Sequence, residues 1–382
     1  MSAALAALPL LEGIRSRIVD NHHGLHMHVL EAGFEAADRP GLLLLHGFPE
    51  LAYSWRKLML PLAQAGFHVI APDQRGYGRT RGADARYDGD LASFRLLNLA
   101  TDAIGLVAAL GHRRVDVIGH DFGSPVAACC ALARPDVFRS AVLMSAPFAG
   151  VPAWPFDTAE ASAASATLPV ADLDADLAQL ARPRKHYQTH YSTPQADAEM
   201  RDALQGLHAF LRAYYHVKSA DWPGNQPFAL SARTATEMAK LPDYYVMDLQ
   251  RGMSATVAPH MPSPDPIAAC RWLPDHELAV YAAEFARTGF QGGLNWYRCQ
   301  TDGQNQRDLA LFAGRSIDVP ACFIYGRHDW GARQTPGAFE SMQTGACTDL
   351  RGCHAVTGAG HWVQQEQPEE VTRLLLAFLR AR

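Results

Sequence analysis

The sequence has no excess of positive charge: 34 Lys and Arg stand against 39 Asp and Glu, for a formal net charge of −5. That balance gives no reason to expect nucleic acid or an acidic membrane surface as a partner. Cysteine is sparse and odd in number, seven in 382 residues, so no disulfide framework is indicated. Cys129 and Cys130 lie in an apolar stretch and read as packed thiols, and Cys347 and Cys353 are the one pair whose bridging is conceivable. The leading stretch MSAALAALPLLEGIR lacks a basic start and is broken by Pro9. Neither a signal peptide nor a membrane span is expected from it, and a cytoplasmic protein is the default reading. His186 and His190 are spaced i, i+4, and His22, His23, His26 and His28 cluster, but no cysteine pair or HExxH motif accompanies them. No metal is therefore expected. The turns GYG and GAG lack the Lys-Ser/Thr of a phosphate loop, so no nucleotide is expected either, nor any other cofactor.

What is present is the pattern of an α/β protein. Hydrophobic residues make up 48% of the chain, enough to bury a large core. Residues 15–33 alternate like a hairpin with a turn near His22–Gly24. Residues 41–50, 68–80, 114–124 and 139–147 each carry a continuous apolar run ending in a turn, as buried parallel strands do. Helical spacing separates them at 94–110 and 125–133, which predicts a mostly parallel sheet. From 148 the pattern changes. Residues 149–172 read as an Ala-, Pro- and Ser-rich loop, and 174–299 are helical in pattern and rich in Tyr, Trp and His. A strand returns at 319–326, a turn at 354–362 and a helix at 368–381. The expected architecture is an α/β core (1–147 and 307–382) interrupted by a mostly helical insertion at 148–306. No internal repeat is present.

The segment Val117-Ile118-Gly119-His120-Asp121-Phe122-Gly123-Ser124 resembles the strand–turn–helix elbow of α/β-hydrolases, with Asp where Ser usually sits. A plain helix-capping aspartate would also fit such a turn. Two further segments favour the elbow: Asp329 follows a late strand in CFIYGRHDW, and His361 precedes the last helix in GAGHW. Their order, nucleophile then acid then histidine, is the one this architecture requires. After the strand at 41–45, HGFPE offers a backbone N–H at Phe48, and the elbow offers another at Phe122; together they can form an oxyanion hole. The Phe48–Pro49 bond is a candidate for the cis form. His46 reads as a structural partner of that loop rather than as a base. Phe48, Phe122, Trp330 and Trp362 are expected to wall the substrate pocket.

An aspartate at the elbow dictates the chemistry. Its carboxylate is already charged near neutral pH and needs no base to attack a saturated electrophilic carbon. Displacement yields an ester of Asp121, whose carbonyl is then open to water activated by His361, with Asp329 orienting the imidazole. A serine attacking the same carbon would leave an ether that this machinery could not cleave. An epoxide oxygen or a halide would suit as leaving group. An epoxide needs a proton donor, and a phenol can serve.

As a set, HGFPE (46–50), DQRGYG (73–78), GHDFGS (119–124), YGRHDW (325–330) and GAGHW (358–362) resemble the epoxide hydrolase family of α/β-hydrolases. The resemblance spans nearly the whole core and makes the insertion the family's cap. It implies that GFQGGLNWYR (289–298) carries one ring-opening tyrosine, Tyr297, and KHYQTHYSTP (185–194) the other, Tyr187. In the family these phenols bind and protonate the epoxide oxygen. Tyr191 lies four residues beyond Tyr187 on the same helix face and competes for the second role. The chain departs from the pattern in having Phe122 where Trp is common, and in a cap longer than usual. The implied partner is a small-molecule epoxide; a homodimer is left open.

Two other readings compete. A haloalkane dehalogenase places Trp after the nucleophile to hold halide with its indole, and the Phe122 side chain has no N–H; the fluoroacetate type instead uses cap His, Trp and Tyr, for which His186, His190 and Trp222 are candidates. A non-catalytic ligand-binding protein on the same scaffold is the third reading, and the intact set Asp121, Asp329 and His361 argues against it.

Overall fold

The computed structural model describes residues 5–152 and 172–381. Most of the stretch read as a linker at 149–172 lies outside the described residues. Eight strands build one sheet: β1 Ile14–Asp20, β2 His26–Ala32, β3 Gly41–Leu45, β4 His68–Pro72, β5 Val115–His120, β6 Phe138–Met144, β9 Ala321–Gly326 and β10 Leu350–Val356. Their spatial order is β1-β2-β4-β3-β5-β6-β9-β10. β1 and β2 form an antiparallel hairpin, β2 joins β4 antiparallel, and every pair from β4 to β10 is parallel.

Parallel neighbours need crossovers, and helices α1 (Arg56–Gln64), α2 (Leu96–Ala109) and α3 (Gly123–Ala133) supply them. The continuous apolar runs of the strands are explained by helices on both faces. Leu42, Leu44, Ile118 and Ile324 pack with Trp55, Leu58, Met59 and the C-terminal helix. Leu43, Leu45, Val117 and Phe323 pack toward Leu99, Leu106, Val126 and Cys130. The C-terminal helix Pro368–Ala381 shows how such an element is held. Proline opens it, Glu369 and Glu370 occupy its first turn, and Val371, Leu374, Leu375, Phe378 and Leu379 are buried along one stripe. Each buried side chain of that kind contributes roughly 1.5–3 kcal/mol relative to exposure.

Strand order reverses around β3: the chain leaves it for β4 on one side and returns to β5 on the other. The loops at the carboxyl ends of β3 and β5 part there, where α/β sheets bind ligands. The insertion between β6 and β9 covers this edge as a mostly helical cap with helices Leu207–Lys218, Asp275–Thr288 and Gln291–Thr301. It is not wholly helical: β7 (Arg184–His186) and β8 (Val246–Asp248) form a two-stranded antiparallel sheet. One correction concerns 354–362. Its first three residues finish strand β10 and do not belong to a turn.

Candidate active site

The elbow is shaped by close packing. Asp121 sits at φ 52° between β5 and α3, a conformation that costs a non-glycine residue about 1–3 kcal/mol and persists only where its surroundings hold it. A Cβ on Gly119 would lie 2.0 Å from the Gly123 carbonyl oxygen, and one on Gly123 would lie 2.2 Å from that of Leu45. Only glycine fits at either position, and the tight turn aims Asp121 out of the sheet edge.

The structure brings Asp121, His361 and Asp329 together. His361 Nε2 lies 3.2 Å from Asp121 Oδ2, and His361 Nδ1 lies 3.0 Å from Asp329 Oδ1. Gly331 N–H donates to the same Asp329 oxygen at 2.7 Å, fixing the carboxylate. The Phe48 N–H donates to Asp121 Oδ1 at 2.8 Å, and the Phe48–Pro49 bond is cis. Burial alone would raise the Asp121 pKa. Contact with His361, reinforced by the charges of Lys218 and His120, outweighs it and holds the carboxyl well below the usual range. Asp329 is likewise buried and held down chiefly by His361.

Above the carboxylate the cap closes a cavity of about 320 Å³, lined by Asp121, Phe122, Tyr187 and Tyr297 together with the amides of Gln188 and Gln334. The Tyr187 and Tyr297 rings lie 5.9 Å apart. Tyr187 donates to Gln334 Oε1 at 3.3 Å and accepts from Gln188 Nε2 at 3.2 Å. Tyr191 does not reach the cavity; its hydroxyl is spent on Tyr214 at 3.2 Å. Burial, with the charge of Asp121 added to it, pushes both cavity phenols above the ordinary tyrosine value, so they stay protonated at neutral pH.

The helix that bears Tyr297 approaches the core through a glycine-to-glycine contact. A Cβ on Gly292 would lie 1.9 Å from the Gly76 carbonyl oxygen, and Trp296 Nε1 donates to the Arg75 carbonyl at 3.1 Å. DQRGYG and GFQGGLNWY are thus two halves of one joint between core and cap.

Three residues expected in the pocket wall lie elsewhere. Trp362 is buried and turns its indole N–H to the Tyr215 carbonyl at 2.9 Å. Trp330 packs on Phe228. Phe48 contributes its N–H while its ring sits among Tyr191, Phe290 and Tyr297. None of the three lines the cavity. His46 bonds within its own loop, Nδ1 to the Gly47 carbonyl at 2.9 Å, while Nε2 accepts from Gln74 N–H at 3.1 Å.

Sequence reasoning missed the support behind the triad. Glu50 and His120 are fully buried and paired at 2.6 Å. Glu50 accepts from Gly47 N–H at 3.1 Å and Gln364 at 2.9 Å, while His120 Nε2 meets the His361 carbonyl at 2.7 Å. Glu366 accepts the backbone N–H groups of Ala220, Gly360 and Trp362 at 2.8, 2.9 and 3.0 Å, clasping cap to histidine loop. The signal in the sequence was that Glu50 and His120 stand as polar residues in HGFPE and GHDFGS, at or after the ends of the apolar strands β3 and β5. All seven cysteines are free. Among the described residues no group of His, Cys, Asp and Glu could hold a metal, and no helix is long and apolar enough to cross a membrane.

Residues 40–368 match the model of the alpha/beta hydrolase fold family. Epoxide hydrolase A of Mycobacterium tuberculosis is 33% identical over 377 residues, covering 95% of this chain and 96% of that one. Among solved structures, an epoxide hydrolase from an endophytic Streptomyces superposes with a TM-score of 0.75 at 30% identity, covering 97% of this chain and 96% of the other. Epoxide hydrolase A from Mycobacterium thermoresistibile superposes with a TM-score of 0.72 at 32% identity over 96% and 98%. The chain belongs to the α/β-hydrolases and, within them, to the epoxide hydrolase family.

Proposed function

We propose that this chain converts an epoxide and water to a vicinal diol through an alkyl ester on Asp121. One observation carries the reading: a single cavity has the Asp121 carboxylate on its core side and the Tyr187 and Tyr297 phenols on its cap side. An Asp121 oxygen bonds to a ring carbon as the carbon–oxygen bond of the epoxide breaks, and the ring oxygen takes a proton from a phenol. His361 then removes a proton from water attacking the ester carbonyl, with Asp329 supporting the imidazolium. Phe48 N–H already points at Asp121 Oδ1, and with Phe122 N–H it would receive the oxyanion. As the tetrahedral state collapses, the His361 imidazolium gives its proton to the departing diol oxygen, which came from Asp121, and the proton left on the new Asp121 carboxyl restores the tyrosinate to phenol.

Among the described residues Asp121 is the only charged one lining the cavity, which favours a neutral substrate. None of the three candidate halide holders lines the cavity: His186 packs on Tyr187, His190 meets Glu199 at 3.4 Å and Trp222 packs on Tyr244 and His260, so these positions do not support the dehalogenase reading. We take 148–306 as the cap, since β6 ends at Met144 and β9 begins at Ala321. A cytoplasmic location belongs to this reading, supported by the seven free thiols. The test is single-turnover hydrolysis of styrene oxide in water labelled with heavy oxygen. The first diol is expected to carry no solvent oxygen, and label in that first diol would overturn the ester mechanism.

A further inference from the structure

Lys218 is a buried cation that the chemistry above does not use. It closes the cap helix Leu207–Lys218 and is only 4% exposed. Among the described residues its ammonium has no carboxylate within ion-pair distance. It sits instead over three aromatic rings, 5.1 Å from the centre of Tyr245, 5.3 Å from Tyr214 and 5.7 Å from Trp362. Its backbone carbonyl accepts the His361 N–H at 2.8 Å, so the same residue touches the histidine loop. A cation buried without a counter-ion is costly, and cation–π contact offsets that cost only in part.

The groups around it explain its position. Burial pulls the Lys218 pKa below the ordinary lysine value, and the charges of Asp121, Asp329 and Glu50 work against that pull. The imidazoles of His120 and His361 lie beside them, their rings 5.1 Å apart. Tyr214 and Tyr245 face it from the cap, and Glu366 holds the loop on which His361 rides. Glu50 is paired with His120, and Asp329 with His361. His361 also contacts Asp121 at 3.2 Å, so three carboxylates share two imidazoles, and Lys218 is the further cation that balances Asp121 at a distance. Esterification removes the charge of Asp121 and leaves Lys218 uncompensated. A nearby cation then disfavours the imidazolium and favours any negative charge that returns to the Asp121 carbonyl.

We propose that Lys218 is a positioning residue for the hydrolytic half-reaction, its caged ammonium keeping His361 in its base form once Asp121 is esterified and favouring, from a distance, the oxyanion that the Phe48 and Phe122 N–H groups receive. The inference rests on the ester reading of Asp121. The burial cost of the charge is then the cost of a function.

The test compares wild type with Lys218→Met and Lys218→Arg in rapid-quench mixing with styrene oxide, following the Asp121 adduct by intact mass and each protein's Tm. Lys218→Met is expected to slow ester decay about 10–100-fold, so that adduct accumulates. The acid limb of that decay should move up by about one pH unit, with Tm equal to or above wild type. Lys218→Arg, which keeps the charge, should leave the limb in place. Should the methionine variant not fold, Lys218→Gln carries the same expectation. Wild-type decay and an unmoved limb in the neutral variants would overturn the proposal, as would slower decay that merely tracks a fall in Tm. A wild type that never forms adduct would instead overturn the ester reading, and this inference with it.

Discussion

The core and the cap place their candidate residues by different physics. At the sheet edge Asp121, Asp329 and His361 each follow a strand by a few residues, and the turns that present them tolerate almost no substitution: Gly119 and Gly123 abut backbone oxygens at 2.0 and 2.2 Å. In the cap, Tyr187 and Tyr297 come from helices 110 positions apart in the sequence and meet only because aromatic rings pack between them. A short motif can encode the first kind of placement. The second is encoded in the shapes of many side chains at once, so neighbouring residues such as Tyr187 and Tyr191 trade places easily on paper.

The comparison is broken most forcefully on the core side. Asp121→Asn is expected to lower turnover by about 10⁴-fold or more, with slow recovery only if the amide hydrolyses back to the acid. His361→Gln should leave the attack intact and block the second step, so that intact-mass measurement after substrate addition shows a stable adduct. Normal diol production by Asp121→Asn over minutes would remove Asp121 from the chemistry.

On the cap side the contrast is between neighbours. Replacing both Tyr187 and Tyr297 by Phe is expected to cost about 10³-fold in ring opening, within the range of general acid catalysis. Tyr191→Phe should change kcat less than about threefold and cost only about 1 kcal/mol of stability, the value of one ordinary hydrogen bond to Tyr214. Equal losses in Tyr187→Phe and Tyr191→Phe, measured as single-turnover alkylation rates, would erase the distinction between the two.

Legibility in the sequence follows the same divide. The five core motifs were readable because strand, turn and glycine requirements are local, and the C-terminal helix because its apolar stripe has the 3.6 period. β10 escaped notice because Leu350–Val356 is a half-exposed edge strand with Arg351 and Gly352 in it and a register shift against β9. α1 escaped because Pro61 lies inside it. β7 and β8 are three residues each and owe their pairing partly to Arg184, which donates to the Val246 carbonyl. Trp330 and Trp362 misled because adjacency to Asp329 and His361 says nothing about direction. One indole turns to Tyr215 and the other ring to Phe228. Glu50, His120 and Lys218 were invisible as a group, since their relation exists only across the packed interface of loops and cap.

The smallest expected change in rate, and the sharpest test of how the core holds its triad, concerns Glu50 and His120. Burial disfavours both charges. The His120 partner nevertheless holds the Glu50 carboxyl below its ordinary value, and Glu50 raises the His120 imidazole above its own. For Glu50, whose folded value is depressed, the stabilisation is complete above the unfolded value of 4.5 and is lost as pH falls through the folded one. For His120, whose folded value is raised, it is complete below the unfolded value of 6.5 and is lost as pH rises through the folded one. The pair therefore stabilises most between these two unfolded values. Glu50→Gln leaves a buried imidazole without its counter-charge and should cost about 3–5 kcal/mol. Its Tm deficit relative to wild type should be largest in that window and narrow on either side. A deficit independent of pH would mean that the two groups are held as neutral hydrogen-bonding partners, and that the triad's scaffold, unlike its nucleophile, carries no charge of its own.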